Sequence, residues 1–128
     1  MISHIVAMSF KAGVTAAQIE GLERQLDALP NAIVEIHSYE FGKDLVRSPR
    51  SYDFGLVAIF ANLESLQRYQ SHPEHLKVLA TIGQICQSVV TVDFEYATLK
   101  SQQPSTGAQS DQDGWQAILD HNRKPQGD

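Results

Sequence analysis

The chain has 128 residues and only one cysteine, Cys86. A single thiol excludes an internal disulfide and suits a reducing compartment. Basic charge is also scarce: 10 Lys and Arg stand against 15 Asp and Glu, for a formal net charge of −5. No basic run occurs, so the electrostatic footprint for nucleic acid or an anionic membrane surface is missing. No apolar run approaches the roughly 18 residues of a membrane span, and no basic leader precedes one. These absences lead us to expect a soluble cytoplasmic protein that partners neither nucleic acid nor membrane. Gly13, Gly42, Gly55 and Gly83 form no phosphate-cradling pattern. No internal repeat is present.

The 42% hydrophobic content is enough for one compact core, and it is unevenly spread. Residues 1–96 are rich in Val, Ile, Leu and Phe. The segment 97–112 is nearly devoid of large apolar groups and reads as a linker, because it buries too little to offset its ordering entropy. Residues 113–123 regain a short pattern, with Asp113 and Gln116 as a capping box and Trp115, Ile118 and Leu119 on one face. We expect a short helix that docks or frays, or else a disordered tail.

Within the first 96 residues the pattern changes period in a definite order. "ISHIVAMSF" alternates, placing Ile2, His4, Val6, Met8 and Phe10 on one side of a strand. Thr15 and Gln18 open a helix through Ile19, Leu22, Leu26 and Leu29, which Pro30 and Asn31 are expected to stop. "AIVEIHSYEFG", 32–42, reads as a second strand, with Ile33, His37, Tyr39 and Phe41 on one face and Val34 and Ile36 on the other. "YDFGLVAIF", 52–60, reads as a third. Asn62 caps a helix through Leu63, Leu66 and Tyr69. Pro73 disfavours helical geometry at His72 and suits the first position of a new helix, expected over 73–87 and largely buried. "VVTVDFEY", 89–96, is the last strand, with Val90, Val92, Phe94 and Tyr96 opposed to Thr91, Asp93 and Glu95.

The order β-α-β-β-α(α)-β, with short connections, predicts an α+β fold: a ferredoxin-like antiparallel four-stranded sheet with helices on one face. Strands 2 and 3 then carry apolar groups on both faces, more than a solvated face should hold. We therefore expect a homodimer in which two sheets pack into a barrel.

The stretches "HIVAMSFKAGVT", "FGKDL", "YDFGLVAIFANLESLQRYQSHPEHLKV" and "VVTVDFEY" resemble the stress-responsive A/B barrel (Dabb) family over about residues 1–96. That resemblance implies a dimeric α+β barrel. Many members have no known activity, and some are linked to stress. A plant branch closes linear poly-β-ketones by aldol condensation without a cofactor. Its catalytic histidine on the first strand, and its tyrosine and histidine around the "HP.H" segment, match His4, Tyr69 and His75 here. Leu22 and Leu26 stand where aromatic groups line that enzyme's pocket, and Leu79 where it has a glycine, so a pocket here would differ in shape and be smaller.

Two readings of these residues stand side by side. In one, His75 near a helix start loses basicity and serves as a general base, His4 converges on the same cavity, and the Tyr69 hydroxyl steadies an enolate. The ligand is then a small apolar keto compound, and no cofactor is needed. In the other, His4 is a satisfied core-edge histidine, His75 is structural, and the dimer is noncatalytic. A cofactor-independent monooxygenase is a third option, by fold analogy alone.

His72 and His75 are three apart, but the proline between them and the lack of further ligands argue against a metal site. His72 is expected to cap the break between helices, and Cys86 to pack in the core. His37 is assigned to the dimer face, Arg47 and Arg50 to a solvated loop, and Asp93 and Glu95 to a sheet rim.

Overall fold

A computed structural model of the chain describes residues 1–97. The linker beyond Ala97 and the Trp115 helix lie outside the described residues. The elements are β1 (Ile2–Phe10), α1 (Ala16–Ala32), β2 (Ser38–Lys43), β3 (Phe54–Phe60), α2 (Leu63–Ser71), α3 (Pro73–Ile85) and β4 (Cys86–Glu95). The four strands form one antiparallel sheet in the order β2-β3-β1-β4. This is the ferredoxin-like α+β fold expected from the sequence.

Each helix starts where its capping chemistry lies. Thr15 accepts from the Gln18 amide while the Gln18 side chain accepts from the Thr15 amide, so two orphan donors of α1 are satisfied reciprocally. Asn62 accepts from the Ser65 amide to start α2. His72 ends α2 and begins α3, its Nδ1 accepting from the Glu74 amide at 3.1 Å. The expected cap between the two helices is therefore in place.

The inner face of the sheet and the apolar stripes of the helices make the core. Met8, Phe54, Phe60, Leu22, Leu26 and Ile33 are almost wholly buried there. Burying a side chain of this kind contributes about 1.5–3 kcal/mol. Cys86 packs at the edge of this core, and burial pushes its thiol pKa up.

Several boundaries differ from expectation. Pro30 does not stop α1, which runs on to Ala32. The Ile33 amide still reaches the Leu29 carbonyl, at 2.9 Å. Residues 33–37 turn the chain back to the sheet rather than opening β2. Ile33 seals the core, Val34 is 91% exposed, and His37 is exposed ahead of the strand, with only its backbone amide reaching Ile59. β3 begins at Phe54, and Asp53 just ahead of it ties the strand to its surroundings: its carboxylate accepts from the Phe10 amide and pairs with Arg47. Arg47, at φ 53°, also pairs with Asp44, so this arginine staples the loop rather than standing free in it. α3 ends at Ile85 and Cys86 enters β4 directly. Leu76 and Leu79 on α3 are about half exposed, so that helix is less buried than its composition suggests.

The outer face of the sheet is apolar on β3, as the sequence pattern placed it, but not on β2. β2 turns Ser38, Glu40 and Gly42 outward. The apolar rungs lie on β3, β1 and β4: Val57, Ile5 and Val92 in one, Ile59, Ser3 and Phe94 in another. Val57, Val90, Val92 and Phe94 are each 42–53% exposed.

Candidate functional site

The inner face also holds the polar side chains singled out in the sequence. Strand alternation turns His4 toward the helices, together with Val6 and Met8. Its antiparallel partner on β4 is Asp93, so both side chains share one face and one rung. His4 Nδ1 donates to the Asp93 carboxylate. That bond fixes the ring and leaves Nε2 as its other nitrogen.

The α2–α3 junction supplies the second half. Tyr69, in the last turn of α2, is 2% exposed. His75, in the first turn of α3, packs its ring against Tyr69 with centroids 4.2 Å apart. His75 Nδ1 donates to the Gln70 carbonyl at 3.1 Å. A carbonyl only accepts, so the proton sits on Nδ1, and the neutral ring carries its lone pair on Nε2. The His4 ring meets Tyr69 edge-on at 6.0 Å. The kink at Pro73 is what lets residues on two successive helices face one point.

Burial pushes the His75 pKa below its ordinary 6.5, and the nearby His4 and His72 rings lower it further, against the opposing bond to Gln70. A histidine so placed is neutral near pH 7 and can accept a proton. Burial raises the Tyr69 hydroxyl, and the adjoining Tyr39 hydroxyl raises it further. Tyr39 is pushed up to about 12 by burial. Both phenols therefore keep their protons at neutral pH.

These groups line a cavity of about 370 Å³ between the sheet and the helices. His4, Tyr39, Tyr69, Gln70, His75 and Thr91 form its polar wall. Val6, Met8, Leu26, Leu56, Ile82 and Val89 are among its apolar lining. Leu79 lines the cavity without closing it, and Leu22 lies in the core behind. The size and the mostly apolar lining suit a small organic ligand. Among the described residues no three His, Cys, Asp or Glu side chains converge as a metal site.

The structure thus brings His4, Tyr69 and His75 to one cavity. Sequence reasoning missed three neighbours: Tyr39, Gln70 and Asp93. Asp93 lies on the edge strand β4, as expected, but its carboxylate also meets His4. The alternation of β4 already separated Asp93 from Val92 and Phe94; what was lacking was that Val92 and Phe94 face away from the helices. Tyr39 was legible as an alternating strand residue, but only the fold brings its hydroxyl to Tyr69.

The comparisons agree with this architecture. Residues 2–96 match the family described as Stress responsive A/B Barrel Domain. A stress-response A/B barrel domain-containing protein of Arabidopsis thaliana, HS1, is 25% identical over 96 residues, covering 73% of this chain and 88% of that protein. A dimeric ferredoxin-like protein of unknown function from Thermobifida fusca is 36% identical, with a TM-score of 0.69 over 74% of this chain and 90% of that one. Hydroxynitrile lyase from Passiflora edulis is 17% identical, with a TM-score of 0.69 over 76% of this chain and 94% of that one; it shares the fold. Among the described residues no helix is long and apolar enough to cross a membrane. By the match over residues 2–96, the chain belongs to the stress-responsive A/B barrel domain family.

Proposed function

We propose that the protein works as a homodimer whose sheet–helix cavity binds a small, largely apolar carbonyl compound and moves a proton at the carbon next to the carbonyl. One observation carries this reading: His75 gives its Nδ1 proton to Gln70, which leaves the Nε2 lone pair on a buried ring lining an apolar cavity. His75 Nε2 removes the proton. The C–H electron pair becomes part of the enolate, and the carbonyl oxygen takes the charge. The Tyr69 hydroxyl donates to that oxygen. The proton that His75 Nε2 took is the one it returns to the ligand, and His4, steadied by Asp93, holds the wall of the cavity beside Tyr69. No step uses a cofactor. The enolate can then attack a second carbonyl of the same ligand, which is the cyclase-like variant of the same chemistry.

The dimer is supported by the exposed apolar rungs of the outer face and by the dimeric Thermobifida fusca relative. Two such faces packed together form a sheet-on-sheet interface.

A thermal-shift screen of keto acids and polyketide lactones tests the ligand. A binder present at 100 times its Kd should stabilise the fold by about 2.7 kcal/mol. The shift should be lost or much reduced in His75→Ala. No stabilisation by any carbonyl compound would count against the reading.

A further inference from the structure

The Tyr39 and Tyr69 hydroxyls lie 2.7 Å apart, and both rings line the cavity. Each hydroxyl has one proton, so only one of them can donate across that contact. Burial keeps both phenols protonated. If Tyr69 donates to Tyr39, the free proton is on Tyr39, and Tyr69, the phenol packed against His75, has none to offer a ligand oxygen. If Tyr39 donates, the Tyr69 lone pair is occupied and its proton is free for the cavity. A ligand oxygen that gains negative charge selects the second arrangement. The two bonds then run head to tail, and each strengthens the other in this low-dielectric site.

Resting on the proposed function, we propose that Tyr39 is a positioning residue: its hydroxyl donates to Tyr69 and aims the Tyr69 proton into the cavity, so that the pair forms a site for enolate-type or phenolate-type oxyanions. Tyr39 acts through Tyr69 rather than on the ligand. The ring is held in place by its edge-on contacts with Phe41 and Tyr69 and by its place on β2. Removing the hydroxyl alone therefore leaves the wall of the cavity standing.

The test uses two probes of like size on the full chain. One is 4-nitrophenol, titrated as its coloured phenolate; the other is 4-nitrotoluene, which has no ionisable oxygen. Wild-type protein should bind both. Tyr39→Phe should weaken the phenolate up to about tenfold, the upper end for a lost hydrogen bond between neutral groups, with 4-nitrotoluene unchanged. Tyr69→Phe should weaken the phenolate at least as much, and the double variant should be no worse than Tyr69→Phe alone. Equal loss of both probes in Tyr39→Phe would reveal a merely structural role and overturn the inference. So would a phenolate affinity that Tyr39→Phe leaves untouched. Wild-type protein that takes only 4-nitrotoluene would overturn the oxyanion site while sparing the cavity. Wild-type protein that takes neither would overturn the cavity reading with it.

Discussion

The two faces of the sheet are built from the same strands and differ in almost everything else. On β1, His4, Val6 and Met8 turn inward and are buried, while Ile5 and Ala7 turn outward. On β4 the contrast is chemical: Thr91 and Asp93 turn toward the cavity side, Val90, Val92 and Phe94 away from it. The inner face has helices to cover it, so it can hold polar groups in a dry setting and shift their pKa values. The outer face has no cover from this chain's described residues, yet it is the face that carries exposed valines and a phenylalanine. A strand edge or loop could not make this division. It follows from a period of two, which sends neighbouring residues to opposite environments. One face is thus suited to chemistry and the other to association.

The largest effect should come from cutting into the buried face. Leu22→Ala removes a side chain with 0% exposure and should cost about 3 kcal/mol in chemical denaturation. A loss below about 1 kcal/mol would mean the core is less tightly packed than described. On the outer face, Phe94→Asp should leave the fold of the protomer intact but weaken self-association by about 2 kcal/mol or more, read by sedimentation. Unchanged association would remove the outer face from the interface and break the comparison. Thr15→Ala touches neither face. It removes a cap and should cost about 1 kcal/mol, with ligand binding and assembly unchanged.

The finest test is in pH. The folded pKa of His75 lies below its ordinary 6.5, so in the window just under 6.5 the unfolded chain binds a proton that the folded chain refuses. Stability conferred by neutral His75 is full above 6.5 and falls as pH drops toward the folded pKa. His75→Gln should flatten that part of the stability–pH profile. An identical slope in wild type and variant would show that His75 does not titrate in this window.

Much of the architecture was legible in the sequence because period and caps are local. Thr15–Gln18, Asn62 and the His72–Pro73 junction each announce a helix start within four residues. The strand order and the inward turn of His4 follow from connection rules and alternation. The boundaries of β2 were not legible, because Ile33, Val34 and Ile36 are apolar for other reasons: one caps a helix, and the others sit in the turn. Alternation cannot tell a turn rich in β-branched residues from a strand. His4, Tyr69 and His75 entered through family resemblance. The local signal for His75 was its place near a helix start. Asp93, Tyr39 and Gln70 were not found, since each belongs to the site only through contacts across 5 to 89 positions of chain.

Solvent deuterium exchange at the carbon next to a ketone tests the central claim most directly. A small apolar β-keto ester in D2O should exchange that proton faster with wild-type protein than with buffer, and His75→Gln should abolish the acceleration while Thr15→Ala retains it. Equal acceleration by wild type and His75→Gln would contradict the account, for the proton would then be leaving to something other than His75.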